Sequence, residues 1–97
     1  MGTTMREQRV VRVLHILSDR LAEYNTTMDD LIDSFNNGRM ASMQIRKKAN
    51  KCIAMADVVI LRFLSIADMN HVGADTSLFS VFEKRRIKFN ELELFFH

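Results

Sequence analysis

The side chains in this sequence with chemical potential are mostly cations, and their spacing decides what they can do. No acid occurs from Ser34 to Ala56, while Arg39, Arg46, Lys47, Lys48 and Lys51 do. A second basic cluster, Lys84, Arg85, Arg86 and Lys88, lies near the C-terminus. The acids crowd a different stretch, with Asp19, Glu23, Asp29, Asp30 and Asp33 close together. A formal net charge of only +2 therefore conceals a segregation along the chain. Lysine and arginine bind polyanions by displacing counterions from phosphates. Brought together, the two basic segments would form one polyanion footprint; kept apart, they are two solvated patches.

Other chemistries find less support. Cys52 follows Lys51, which could lower a thiol pKa, but it falls on an apolar helical face and reads as a core residue. His15, His71 and His97 are isolated and lack metal-ligand spacing. There is no glycine loop to cradle phosphate and no H-E-x-x-H. Asp29, Asp30 and Asp33 read as a solvated helix face, not a general acid–base pair. The expectation is a non-enzymatic protein with no cofactor, no metal and no small-molecule substrate. Phe35, Phe63, Phe79, Phe82, Phe89, Phe95 and Phe96 could stack on bases, yet no aromatic–basic alternation is visible and core packing is the simpler reading. Tyr24 likewise reads as core, and Arg12 as half of an ion pair.

Composition bounds the class. Ninety-seven residues accommodate one domain with one small core. Hydrophobic residues at 47% and charged residues at 27% are ordinary for a globular chain. No run of 18 apolar residues suggests a membrane span, and Met1–Gln8 lacks the apolar stretch of a signal peptide. One cysteine excludes an internal disulfide. The expected compartment is the cytoplasm or nucleus. Residues 1–8 read as a flexible lead-in and 9–97 as a single domain.

Certain elements must position these cations. Arg9–Leu17 is rich in Val, Ile and Leu, and Val11, Val13 and His15 alternate with Arg12, Leu14 and Ile16, which predicts a strand. Ser18 and Asp19 are good N-cap residues. Leu21, Tyr24, Met28, Leu31, Ile32 and Phe35 then follow helical spacing. A second start at Thr27 would split this helix in two, and Asn36-Asn37-Gly38 stops it. Arg39–Gln44 fits either a short strand or the beginning of the next helix. From Lys47 to Leu64 the helical pattern is strong: Ala49, Cys52, Ile53, Ala56, Val59, Ile60 and Phe63 mark one face. Met55, Val58 and Leu61 extend apolar character almost all round, so this helix needs cover on two sides. Residues 72–76 and 77–82 show weak strand character. Ile87–Phe96 is the best strand pattern, with its apolar phase slipping at Asn90-Glu91, where a β-bulge would restore one inward face. The order β, α, uncertain β, α, weak β, β predicts an α/β two-layer sandwich, helices packed on a mixed sheet.

Four segments carry a family resemblance. Val11-Arg12-Val13 precedes Asp19-Arg20-Leu21-Ala22-Glu23-Tyr24; Arg46-Lys47-Lys48-Ala49-Asn50-Lys51-Cys52 leads into Ala56-Asp57-Val58-Val59; Val72-Gly73-Ala74-Asp75-Thr76-Ser77 is small and polar; Glu83-Lys84-Arg85-Arg86-Ile87 precedes Leu92, Leu94 and Phe96. From about residue 10 to 96 the chain resembles the Alba superfamily of small nucleic-acid-binding proteins. The resemblance implies a β1-α1-β2-α2-β3-β4 fold with a four-stranded sheet. It also implies a homodimer, or a heterodimer with another Alba-like chain, of the sort found in archaeal DNA packaging or as an RNase P/MRP-type subunit. Its binding surface would comprise Arg20, then Arg46, Lys47, Lys48 and Lys51, then Lys84, Arg85, Arg86 and Lys88.

Two functions follow from the sequence. The first is phosphate-backbone binding by a dimer, RNA favoured over DNA, within a ribonucleoprotein or as an RNA or chromatin regulator. The alternative is a dimerising protein-interaction module that uses the broad apolar surface of the second helix and the acidic first helix.

Overall fold

The computed structural model describes residues 4–95, with side chains through Leu94. It contains three helices, α1 (Met5–Asn37), α2 (Ser42–Met69) and α3 (Ser77–Phe95), and no strand among the described residues. The expected α/β sandwich with a four-stranded sheet is therefore overturned, and with it the fold that the Alba resemblance implied.

The helix α1 runs through the predicted strand at 9–17. Its true periodicity is three and four, not two: Val10, Leu14, Leu17, Leu21, Asn25, Met28 and Ile32 line the inner face. Val11, Val13 and His15, the residues that alternate, are exposed. β-Branched residues cost a helix only a few tenths of a kcal/mol each, roughly, against about 2 kcal/mol gained per buried leucine. The stripe therefore wins. Thr4 caps the helix by accepting a hydrogen bond from the Glu7 N–H at 3.1 Å, so helix begins within the segment read as a lead-in. Ser18 and Asp19 cap nothing and lie mid-helix. Thr26 and Thr27 do not start a new helix either. Their hydroxyls donate back to the Ala22 and Glu23 carbonyls, at 3.2 and 3.0 Å, and the helix continues. Gly38, at φ 64°, ends it in the left-handed region.

Residues 39–41 form a short turn and Ser42 opens α2, settling the ambiguous stretch without a strand. Along α2, Ala49, Cys52, Ala56, Val59, Phe63 and Ala67 are buried against α1, and the small alanines admit close approach. The end of α2 is a left-handed His71 (φ 53°), after which the Val72 N–H donates to the Ala67 carbonyl at 2.9 Å. Residues 72–76, expected to have strand character, are the loop into α3.

The predicted strands at 77–82 and 87–96 are one helix. Leu78, Phe82, Arg85, Phe89 and Leu92 recur at four, three, four and three, and Phe82 and Phe89 are fully buried. The apparent phase slip at Asn90-Glu91 is what a period of 3.6 looks like when read with a period of two. Phe96 and the side chain of Phe95 lie outside the described residues.

The helices pack up-down-up. Leu17 lies beside Val59, Tyr24 beside Cys52 and Thr27 beside Lys48, a reversed order that sets α2 antiparallel to α1, while Asn25–Leu78, Asp29–Arg85 and Phe35–Phe89 run in the same order and set α3 parallel to α1. Two edge-to-face phenylalanine pairs close the core, Phe35–Phe89 at 6.2 Å and Phe63–Phe79 at 5.1 Å between centroids. Phe89→Ala is expected to cost about 3–5 kcal/mol in chemical denaturation, because it opens a cavity where α1 and α3 meet. The one buried polar residue of the stripe, Asn25, donates to the Leu78 carbonyl at a long 3.5 Å and leaves its Oδ1 without a partner. Asn25→Leu is accordingly expected to raise stability by about 1 kcal/mol; a loss of stability in the same denaturation experiment would show that the amide is satisfied.

Candidate helix-docking groove

At about 100° per residue, the positions of α1 that meet α3 (Asn25, Asp29) and those that do not (Arg20, Tyr24, Thr27) project on different flanks. On this second flank α1 and α2 leave a trough. Its upper part, about 360 Å³, is bounded by Leu17, Arg20 and Tyr24 of α1 and by Ala54, Met55, Val58, Val59 and Arg62 of α2. A lower part of about 230 Å³ continues past the shared Tyr24 and Met55 to Thr27, Lys48, Lys51 and Cys52. Leu17, Cys52 and Val59 are buried and make the floor, and Tyr24 is half-buried. Met55 at 43% and Val58 at 57% exposure stand over it without cover, and Leu61 at 68% carries the apolar surface outward.

Three of the expected binding residues line this trough: Arg20, Lys48 and Lys51. Arg62 joins them, although sequence reasoning passed over it. The signal was present, since Lys48, Lys51, Met55, Val58 and Arg62 recur at three and four along α2. Those four cations have no hydrogen-bonded or ion-paired partner among the described residues. Lys47 is exposed on α2 outside the trough.

The remaining expected residues are placed elsewhere, largely as fold contacts. Arg85 grips Asp29 with two hydrogen bonds, 2.7 and 2.8 Å, and also donates to the Val81 carbonyl. Arg86 bridges Asp57 of α2, at 3.4 Å, and Glu83. Arg46 lies 3.3 Å from Glu93, in charge contact but without an aligned hydrogen bond. Lys84 and Lys88 are exposed on α3. The structure thus sets Arg20 with Arg62 at the upper part of the trough and Lys48 with Lys51 at the lower part, and leaves the C-terminal cluster on α3. Two acids of the acidic run are also engaged, Asp29 on Arg85 and Asp33 on Arg39 at 2.8 Å.

Cys52 is a core thiol. Burial pushes its pKa up, and the Sγ donates to the Tyr24 carbonyl at 3.6 Å. No group of His, Cys, Asp and Glu that could hold a metal exists among the described residues, and no helix of the described residues is long and apolar enough to cross a membrane. His97 lies outside them. A separate hollow of about 400 Å³ opens where the loop into α3 crosses α1, over Leu14, Phe63 and Leu78 with His15, Ser18 and Asp75 at its edge. The Asp75 carboxyl there is held below the usual carboxylate range by the Ser77 N–H and hydroxyl. In comparisons with known proteins the chain matches no family model, no curated protein and no solved structure.

The Arg85 hydrogen bonds, with help from the charges of Arg85 and Lys88, lower the Asp29 pKa below its ordinary value. A depressed carboxylate stabilises the fold above its unfolded pKa and loses that contribution as pH falls through the folded one. An Asp29→Asn, Arg85→Gln double-mutant cycle is expected to give a coupling of about 0.5–1 kcal/mol at neutral pH, screened by solvent and vanishing in acid. A coupling that persists below the carboxylate range would refute the pairing as its source.

Proposed function

We propose that the chain is a non-enzymatic protein-interaction module whose α1–α2 trough receives an amphipathic helix from a partner protein. One observation carries this reading: an apolar floor of Leu17, Tyr24 and Val59 continues into Met55 and Val58, which are exposed with nothing over them. Between Lys48 and Arg62 the trough follows four turns of α2, about 21 Å, the length of a helix of about 15 residues. A helix laid there would seat anchors at i, i+3/i+4 and i+7, completing the flank of α1 that α3 does not cover.

Phosphate-backbone binding is a second reading, favoured by the open cations Arg20, Lys47, Lys48, Lys51 and Arg62. It draws on fewer residues than the sequence offered, because Arg46, Arg85 and Arg86 are held by carboxylates. It also leaves the apolar floor unexplained, which is why the helix comes first.

The test uses a designed peptide helix with leucine anchors on one face and glutamine elsewhere, followed by NMR. Saturable shifts are expected at Leu17, Tyr24, Met55 and Val58. Val58→Asp should weaken binding at least about tenfold, because it sets an unpaired carboxylate against the anchors. Its own stability should change by no more than about 0.5 kcal/mol, since the site is exposed. Absence of saturable shifts, or shifts confined to other faces, overturns the reading.

A further inference from the structure

The rims of the trough are more selective than its floor. We propose that the helix it accepts is acidic, with Asp and Glu flanking its apolar anchors; this rests on the docking reading above. Arg20 stands on the α1 rim, and Lys48, Lys51 and Arg62 on the α2 rim. No carboxylate lines either part of the trough.

Four other arginines are matched within the chain. Arg39, Arg46, Arg85 and Arg86 each have a carboxylate, supplied by Asp33, Glu93, Asp29 and by Asp57 with Glu83. The four trough cations have no such carboxylate among the described residues, and they border the apolar floor. Lys48, Lys51 and Arg62 also keep one face of α2 at spacings of three and eleven residues, about 4.5 and 16 Å. A helix packed alongside α2 can answer each with an acid one or several turns apart. Electrostatic complementarity of this kind selects partners and speeds encounter more than it adds affinity.

The same charges disfavour the chain itself as the occupant. A twofold pairing trough to trough would set Arg20, Lys48, Lys51 and Arg62 of one copy against the same residues of the other, and like charges across an interface are costly. A phosphate backbone would satisfy the cations but leave Met55 and Val58 bare. An acidic amphipathic helix answers both the floor and the rims.

Three peptides of one apolar face distinguish the possibilities, with glutamate, glutamine or lysine on the flanks. The glutamate peptide is expected to bind at least about tenfold more tightly than the glutamine peptide at low salt, and the advantage should shrink toward high salt. In the exposed double variant K48E/R62E, where two glutamates balance the remaining Arg20 and Lys51, the advantage of the glutamate peptide should disappear. Equal binding of all three peptides would overturn the acidic partner and leave the docking reading standing. Binding of none would overturn both. Two other results would also overturn the acidic partner. One is duplex RNA or DNA that binds more tightly than the glutamate peptide and loses affinity in the same variant. The other is sedimentation showing a dimer that the peptide cannot disrupt.

Discussion

Everything in this fold leans on α1. Its apolar stripe, Leu14, Leu17, Leu21, Met28, Leu31 and Ile32, is the surface against which both other helices bury their own faces. An isolated helix, even one of 33 residues, gains little in water without a partner for such a stripe. The stripe is wide enough for two neighbours, and α2 and α3 take adjacent flanks of it. Asn25 and Asp29 mark the flank of α3, and Tyr24 marks the flank of α2.

That arrangement explains why the arginines of α2 and α3 divide into two populations. Those facing a helix–helix seam meet carboxylates: Arg85 of α3 meets Asp29 of α1, Arg86 of α3 meets Asp57 of α2, and Arg46 of α2 meets Glu93 of α3. These contacts are partly exposed, so each adds little stability. They do favour one rotational setting of α3, whose apolar face is narrow and centred on Phe82 and Phe89. Cations on the far side of α2 have no third helix to answer them. The same absence leaves Met55 and Val58 uncovered, so the open charge and the open apolar surface have one geometric cause.

Parts of this were legible in the residues. Helical spacing from Leu21 to Phe35 and from Lys47 to Leu64, and the stop at Asn36-Asn37-Gly38, correspond to α1, α2 and the turn at Gly38. The near all-round apolar character of α2 predicted cover on two sides, whereas Met55, Val58 and Leu61 are exposed. What misled was local composition. Val11, Val13 and Ile87 are β-branched and alternate with polar neighbours over short windows, and a window that short fits either period. Read over the longer runs Val10–Leu21 and Leu78–Leu92, the three-and-four spacing is unbroken. The fold that the family resemblance implied fails for the same reason, since its β-strands fall on these windows.

The cations show where sequence stops. Their segregation from the acids, and the period of three and four that puts Lys48, Lys51 and Arg62 on one face of α2, are properties of the chain order alone, because helix geometry is local. Which of them remain open was decided by tertiary packing. Asp29 is 56 residues from Arg85, and Arg20 is far in sequence from Arg62, so only the docking of α2 and α3 onto α1 could pair the first two and align the second two along an empty trough. Charge partnership depends on distance in space, and distance in space is set by how three apolar stripes share one core.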